Sequence, residues 1–208
     1  MGKKYKNGGW KMKKLCAIGF IFMVLLSMTM SAAALESKII NRQNGMAAYA
    51  DWMESTPGGL TTDTYLSATK SNDGTDIYLS ICTYDTTSWS CKSGYKLTQD
   101  DVFSINSRLN SASLAVQVDL YQWYCDEYNC WNVPAGTATI ETIWTGIGDI
   151  SKGSYKWMSK SGDYMSKGSD SSSYRDATAK GSIDGSTLGA SDFAEMSKFK
   201  SVYMSMKK

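Results

Sequence analysis

The sequence predicts an all-β protein, a two-sheet antiparallel β-sandwich of the Ig-like or jelly-roll-like kind with two disulfide-closed hairpin tips. Three observations lead there. Runs that alternate apolar and polar residues recur along the chain, and period two places successive side chains on opposite faces of a strand. Turn signals such as Asn72-Asp73-Gly74 and Asp184-Gly185 separate these runs at short intervals. Beyond residue 34 four cysteines remain, Cys82, Cys91, Cys125 and Cys130, an even number in two close pairs.

Taken in order, residues 1–34 describe a secretory signal peptide. Lys11, Lys13 and Lys14 precede an uncharged run over 15–30, and Ser31-Ala32-Ala33-Ala34 supplies small residues at the cleavage positions. The run is short for a membrane span, so no transmembrane segment is expected once the signal is removed. Residues 35–208 are then expected to form a single β-sandwich domain. The six lysines of 1–34 leave with the signal and no carboxylate does, so 22 basic residues become 16 against 20 acidic. The net charge moves from +2 to about −4, and the composition gives no reason to expect nucleic acid as a partner.

Residues 35–42 show no clear periodicity, whereas 46–53 alternate and form a candidate first strand. Thr56-Pro57-Gly58-Gly59 ends it, and 62–69 follow as a second strand. The Asp73-Gly74 turn joins this to 76–84, and Cys82 and Cys91 enclose a polar, aromatic tip over 83–90. A short apolar run at 102–105 leads to the central hairpin. There 114–120 and 137–144 both alternate, and Cys125 and Cys130 close the tip between them.

That hairpin contains a register conflict. If Cys125 faces Cys130, Val118 would face Thr137 and the apolar side of one strand would meet the polar side of the other. Val118 opposite Ala138 and Val116 opposite Ile140 is the sensible pairing. One extra residue must therefore bulge within 132–136, where Pro134 cannot donate to a ladder and Gly136 tolerates a bulge.

After Gly148 the composition turns to Ser, Gly, Lys and Tyr, and 151–173 read as a long mobile hairpin or loop. Residues 174–183 return to strand character. Over 192–206, Phe193, Met196, Phe199 and Tyr203 recur at helical spacing while Val202, Met204 and Met206 alternate, which predicts a turn of helix leading into a last strand.

The order Trp52, then Thr64-Tyr65-Leu66-Ser67-Ala68-Thr69, then Leu109-Asn110-Ser111-Ala112-Ser113-Leu114, then Thr139-Ile140-Glu141-Thr142-Ile143-Trp144-Thr145-Gly146 resembles uncharacterised secreted prokaryotic β-sandwich proteins. That group has no assigned activity, so the resemblance implies fold and export only.

The chemistry is narrow. With no histidine, Ser-His-Asp and Cys-His arrangements are excluded, and so are zinc sites that use imidazole. Disulfides Cys82–Cys91 and Cys125–Cys130 are expected because each pair brackets a tip short enough to bring hairpin ends together. No cofactor, catalytic residue or metal site is expected. Asp119 and Glu141 could act as a carboxylate pair on a glycoside, but the register sets them four residues out of step. Asp73, Asp76, Asp100 and Asp101 could hold calcium, although turn chemistry and solvation account for them equally. Aromatics carry the functional expectation. Tyr121 and Trp123 fall on the solvent side of the central strand, and Tyr128 and Trp131 crown the same hairpin. Flat exposed rings stack on sugar faces or sit at a lipid interface, whereas buried rings would serve a second apolar layer. The expected function is an extracellular binding or adhesion module for a glycan or cell-surface component. A carboxylate-dependent polysaccharide hydrolase and a membrane-active protein that inserts a hairpin are the alternatives.

Overall fold

The computed structural model describes residues 38–125 and 128–207. The chain divides into two units, Met1–Glu36 and Ser37–Lys208, and every described residue belongs to the second. The signal peptide expected over 1–34 lies outside the described residues. Strands follow one another as β1 (Ile39–Ser55), β2 (Thr61–Ser71), β3 (Gly74–Tyr84), β4 (Trp89–Thr98), β5 (Phe103–Ile105), β6 (Ser111–Cys125), β7 (Cys130–Gly146), β8 (Ser151–Ser161), β9 (Tyr164–Ile183), β10 (Ser186–Thr187) and β11 (Phe193–Lys207). Their pairings are antiparallel, and the fold is all-β with disulfides Cys82–Cys91 and Cys125–Cys130.

Alternation explains where the core lies. On β6, Ala112, Leu114, Val116, Val118 and Leu120 are buried while the residues between them are exposed. The same period puts Ala48, Ala50 and Trp52 of β1, Leu66 and Ala68 of β2, and Ile77 and Leu79 of β3 on the inner side. These two walls pack face to face in one cluster, with Ala138, Ile140 and Trp144 of β7 beside β6. Burying each large side chain contributes roughly 1.5–3 kcal/mol. Trp144 also crosses to the far wall, where its Nε1 donates to the Tyr49 carbonyl at 2.9 Å.

Hydrogen bonding also joins the walls. The ladders run β1–β2–β3–β4–β6–β7–β9–β11 and return to β1, a ring of eight strands. The β4–β6 seam is its narrowest part, recorded as Lys92↔Gln122 and Ser93↔Tyr121. Gly94 sits there because a Cβ would strike the Asp119 carbonyl of β6.

β9 is long enough to change neighbours midway. Residues 177–183 lie against β7, whereas 164–174 lie against β8. From Gly146 to Ser151 the chain advances five residues while β9 advances three, from Ala177 back to Tyr174, so two extra residues bulge between β7 and β8. Past that bulge β8, β9, the second half of β11 and the first half of β1 form a four-stranded flange beyond the core. The two disulfide tips project from the opposite end.

Several expectations are refined. The central hairpin has the expected register, with Val118↔Ala138 and Val116↔Ile140 in its body and Cys125↔Cys130 at its tip. Gly136, at φ 97°, absorbs the extra residue. The first strand begins at Ile39 rather than at 46, because its polar first half pairs with β11 outside the core, where no burial imposes a period. Of the hairpin or loop expected over 151–173 the structure has the hairpin, regular throughout and turning at Gly162-Asp163. The turn of helix expected near 192–200 is absent: Phe193–Lys207 is strand throughout, held between β1 and β9. Met196 faces the core while Phe199 lies over Gly45 on the other side, so their spacing has no helical meaning.

Candidate functional site: the paired aromatic tips

Each tip is a hairpin end cross-linked through directly opposed cysteines, with Cα atoms 4.1 Å apart in both Cys82–Cys91 and Cys125–Cys130. The β4–β6 seam sets the tips side by side, and Gln122 Nε2 reinforces it by donating to Ser90 Oγ at 3.2 Å. Alternation on β6 sends Tyr121 and Trp123 to the outer face, and on β3–β4 the opposed pair Tyr84↔Trp89 takes the same face. Both disulfides share it. Trp123 is 61% exposed, Trp89 73% and Tyr121 42%.

The four residues singled out from the sequence do not form one patch. Tyr121 and Trp123 lie on the outer face. Trp131 pairs with Tyr124 on the other face, their rings 5.1 Å apart and inclined at 54°, beside Val133↔Gln122. Tyr128 stands at the turn, 81% exposed. Trp131 is 40% exposed, so none of the four is a core residue. The site is thus a two-sided aromatic tip, with Trp89 of the neighbouring hairpin added to its outer side. That addition was not legible in the central hairpin alone; it comes from the β4–β6 seam.

Local polar chemistry steadies the first tip. Asp85 Oδ1 accepts from the Thr87 N–H at 2.6 Å, the Thr87 hydroxyl at 2.8 Å and the Ser88 N–H at 2.7 Å, closing the turn before Trp89. These donors, the Thr87 N–H foremost, hold the Asp85 carboxyl down at about 2. Below the tips, on the inner side, a groove of about 290 Å³ opens between Ile81, Thr83, Ser90, Lys92, Leu120 and Asp184. Asp184 is occupied there, its Oδ1 accepting the Thr139 N–H at 2.8 Å.

The carboxylates considered for catalysis or calcium are dispersed. Asp119 faces Thr137 and Glu141 faces Ala115, both exposed on the outer side of the hairpin. Asp76 accepts from the Tyr95 hydroxyl, Asp100 from Thr98 Oγ1 at 2.9 Å, and Asp101 pairs with Lys70 at 2.8 Å. Among the described residues no three His, Cys, Asp or Glu side chains gather as metal ligands would. No helix among them is long and apolar enough to cross a membrane. Comparison with protein-family models, with curated proteins and with solved structures finds no match to this chain.

Proposed function

We propose that this chain is an exported, non-catalytic binding or adhesion module, and that the paired tips grip a glycan or another cell-surface component through their rings. The observation that carries the reading is the set of exposed aromatics, Trp89, Tyr121, Trp123, Tyr128 and Trp131, on two cross-linked hairpin ends held side by side. Exposed rings on fixed backbone lose little freedom on binding, and sugar faces or other flat apolar surfaces stack on them. Two disulfides in small hairpins and the signal-like stretch at 1–34 support export.

The test is a glycan-array screen of the chain from Leu35 onward, with Trp123→Ala and Trp131→Ala alongside. Both variants should lose binding while their melting temperatures stay within a few degrees of the parent. Turnover of a polysaccharide would instead favour a hydrolase, and dye release from liposomes a hairpin that inserts. Strong destabilisation by both substitutions would sink the binding face.

A further inference from the structure

The flange carries a second surface, on the side that continues the inner wall beyond the core. Opposed residues share a face, so its rows can be read across four strands. One row is Lys156, Ser169, Val202 and Arg42; the next is Met158, Lys167, Met204 and Ile40. Toward the core follow Ser154, Ser171, Lys200 and Asn44, then Lys152, Ser173, Lys198 and Met46. Lys160, Met165 and Met206 complete the outer end. These rows hold seven cations and no carboxylate, in a chain whose residues 35–208 sum to about −4.

All seven cations are exposed, and none is engaged in an ion pair among the described residues. Of the carboxylates within three residues of these cations, Asp149 precedes β8, Asp163 lies in the β8–β9 turn, Asp170 is paired with Tyr155 and Ser201 in the opposite rows, and Glu195 alternates with the buried Ala194 and Met196. Apolar side chains alternate with the cations, among them Met158, 62% exposed, and Ile40. Lysines on a free strand edge discourage edge pairing, and β8 is such an edge. Lys167, Lys198 and Lys200 stand on β9 and β11, which are paired on both sides, so edge protection does not account for them.

We propose that this flange face docks on an anionic lipid bilayer. The face is about 15 Å across and about 27 Å long by strand spacing and rise, with a shallow hollow of about 270 Å³ at its centre among Ser154, Lys156, Ser171 and Lys200. Lysine and arginine meet the headgroup phosphates, while Met158, Ile40 and their neighbours enter the acyl boundary. A soluble polyanion would use the cations and gain nothing from the methionines; this decides for lipid.

The chain from Leu35 onward, which contains the whole core and both disulfides, is floated with phosphatidylcholine vesicles, with and without a third of phosphatidylglycerol. It should float with the anionic vesicles only, and be released by high salt. Lys156→Glu with Lys200→Glu should lower partitioning more than tenfold, each cation being worth roughly fivefold at such a surface. Met158→Ser should lower it severalfold at unchanged net charge, with the melting temperature unchanged in every variant. No flotation at low salt, or flotation that ignores the charge reversals, overturns the proposal. Equal capture by heparin beads that is indifferent to Met158→Ser overturns it in favour of a soluble polyanion.

Discussion

Trp144 and Trp52 are both fully buried, yet the indoles are not equivalent. Trp144 donates to the Tyr49 carbonyl at 2.9 Å, whereas Trp52 Nε1 meets no acceptor among the described residues. Replacing either by Phe removes a similar volume, but only Trp144→Phe also breaks a hydrogen bond across the two walls. Trp144→Phe should cost about 1 kcal/mol more than Trp52→Phe in urea melts. Two carboxylates set opposite pH responses. Asp85 is held down at about 2 by its turn donors, so its contribution is complete above the ordinary carboxylate range and fades as pH falls toward about 2. Glu195 is pushed upward, first by burial and then by the nearby charge of Asp176. The folded chain holds that proton more tightly than the unfolded one, so Glu195 lowers stability as pH rises past the ordinary glutamate value. Glu195→Gln should remove this decline, and parallel melts between pH 4 and 7 should show the variant gaining on the parent toward neutrality.

At the scale of elements, the central hairpin was legible to the residue. Its period, its cysteines and the clash between them required a bulge in 132–136, and Gly136 at φ 97° provides it. Gly136→Ala should cost about 1–2 kcal/mol, the ordinary penalty of a left-handed backbone for a residue with a Cβ. Deleting Gly136 should cost less, since it removes the one extra residue and lets Cys125↔Cys130 and Val118↔Ala138 run in one continuous ladder; urea melts of the two variants compare them. The disulfides should each contribute about 2–3 kcal/mol, modest because the enclosed loops are short, and denaturation of single Cys→Ser pairs measures this. The flange was not legible in the same way. Both its faces meet solvent, so no burial imposes a hydrophobic period, and the few apolar residues of 151–173, Trp157, Met158 and Met165, are scattered among serines, lysines and glycines. Its order is fixed by neighbours distant in sequence and by local fits such as Trp157 lying over Gly168 and packing on Tyr203 at 5.9 Å. The helical spacing of Phe193, Met196 and Phe199 misled for a related reason: a strand paired on both sides draws its stability from its partners, not from its own pattern.

Over the whole molecule, the aromatic tips and the basic flange occupy opposite ends of one ring of strands, so the two proposed contacts use separate surfaces. The ring itself has a consequence for how the chain comes to be folded. β1 pairs with β11 through Ile39↔Ser205 to Asp51↔Phe193, contacts among the most distant in sequence that the fold contains. Such contacts are slow to form, because a long loop must close before any pairing rewards it. Synthesis makes β1 first and β11 last among these strands, and until β11 arrives β1 has one partner and the core one open side. A chain stopped before Phe193 should therefore give a broad, uncooperative melt and bind hydrophobic dye, where the chain that carries β11 melts sharply. The last strand of the ring thus acts as its keystone: β1 and β9 are joined only through it, and the circuit of strands has no closure until it is in place.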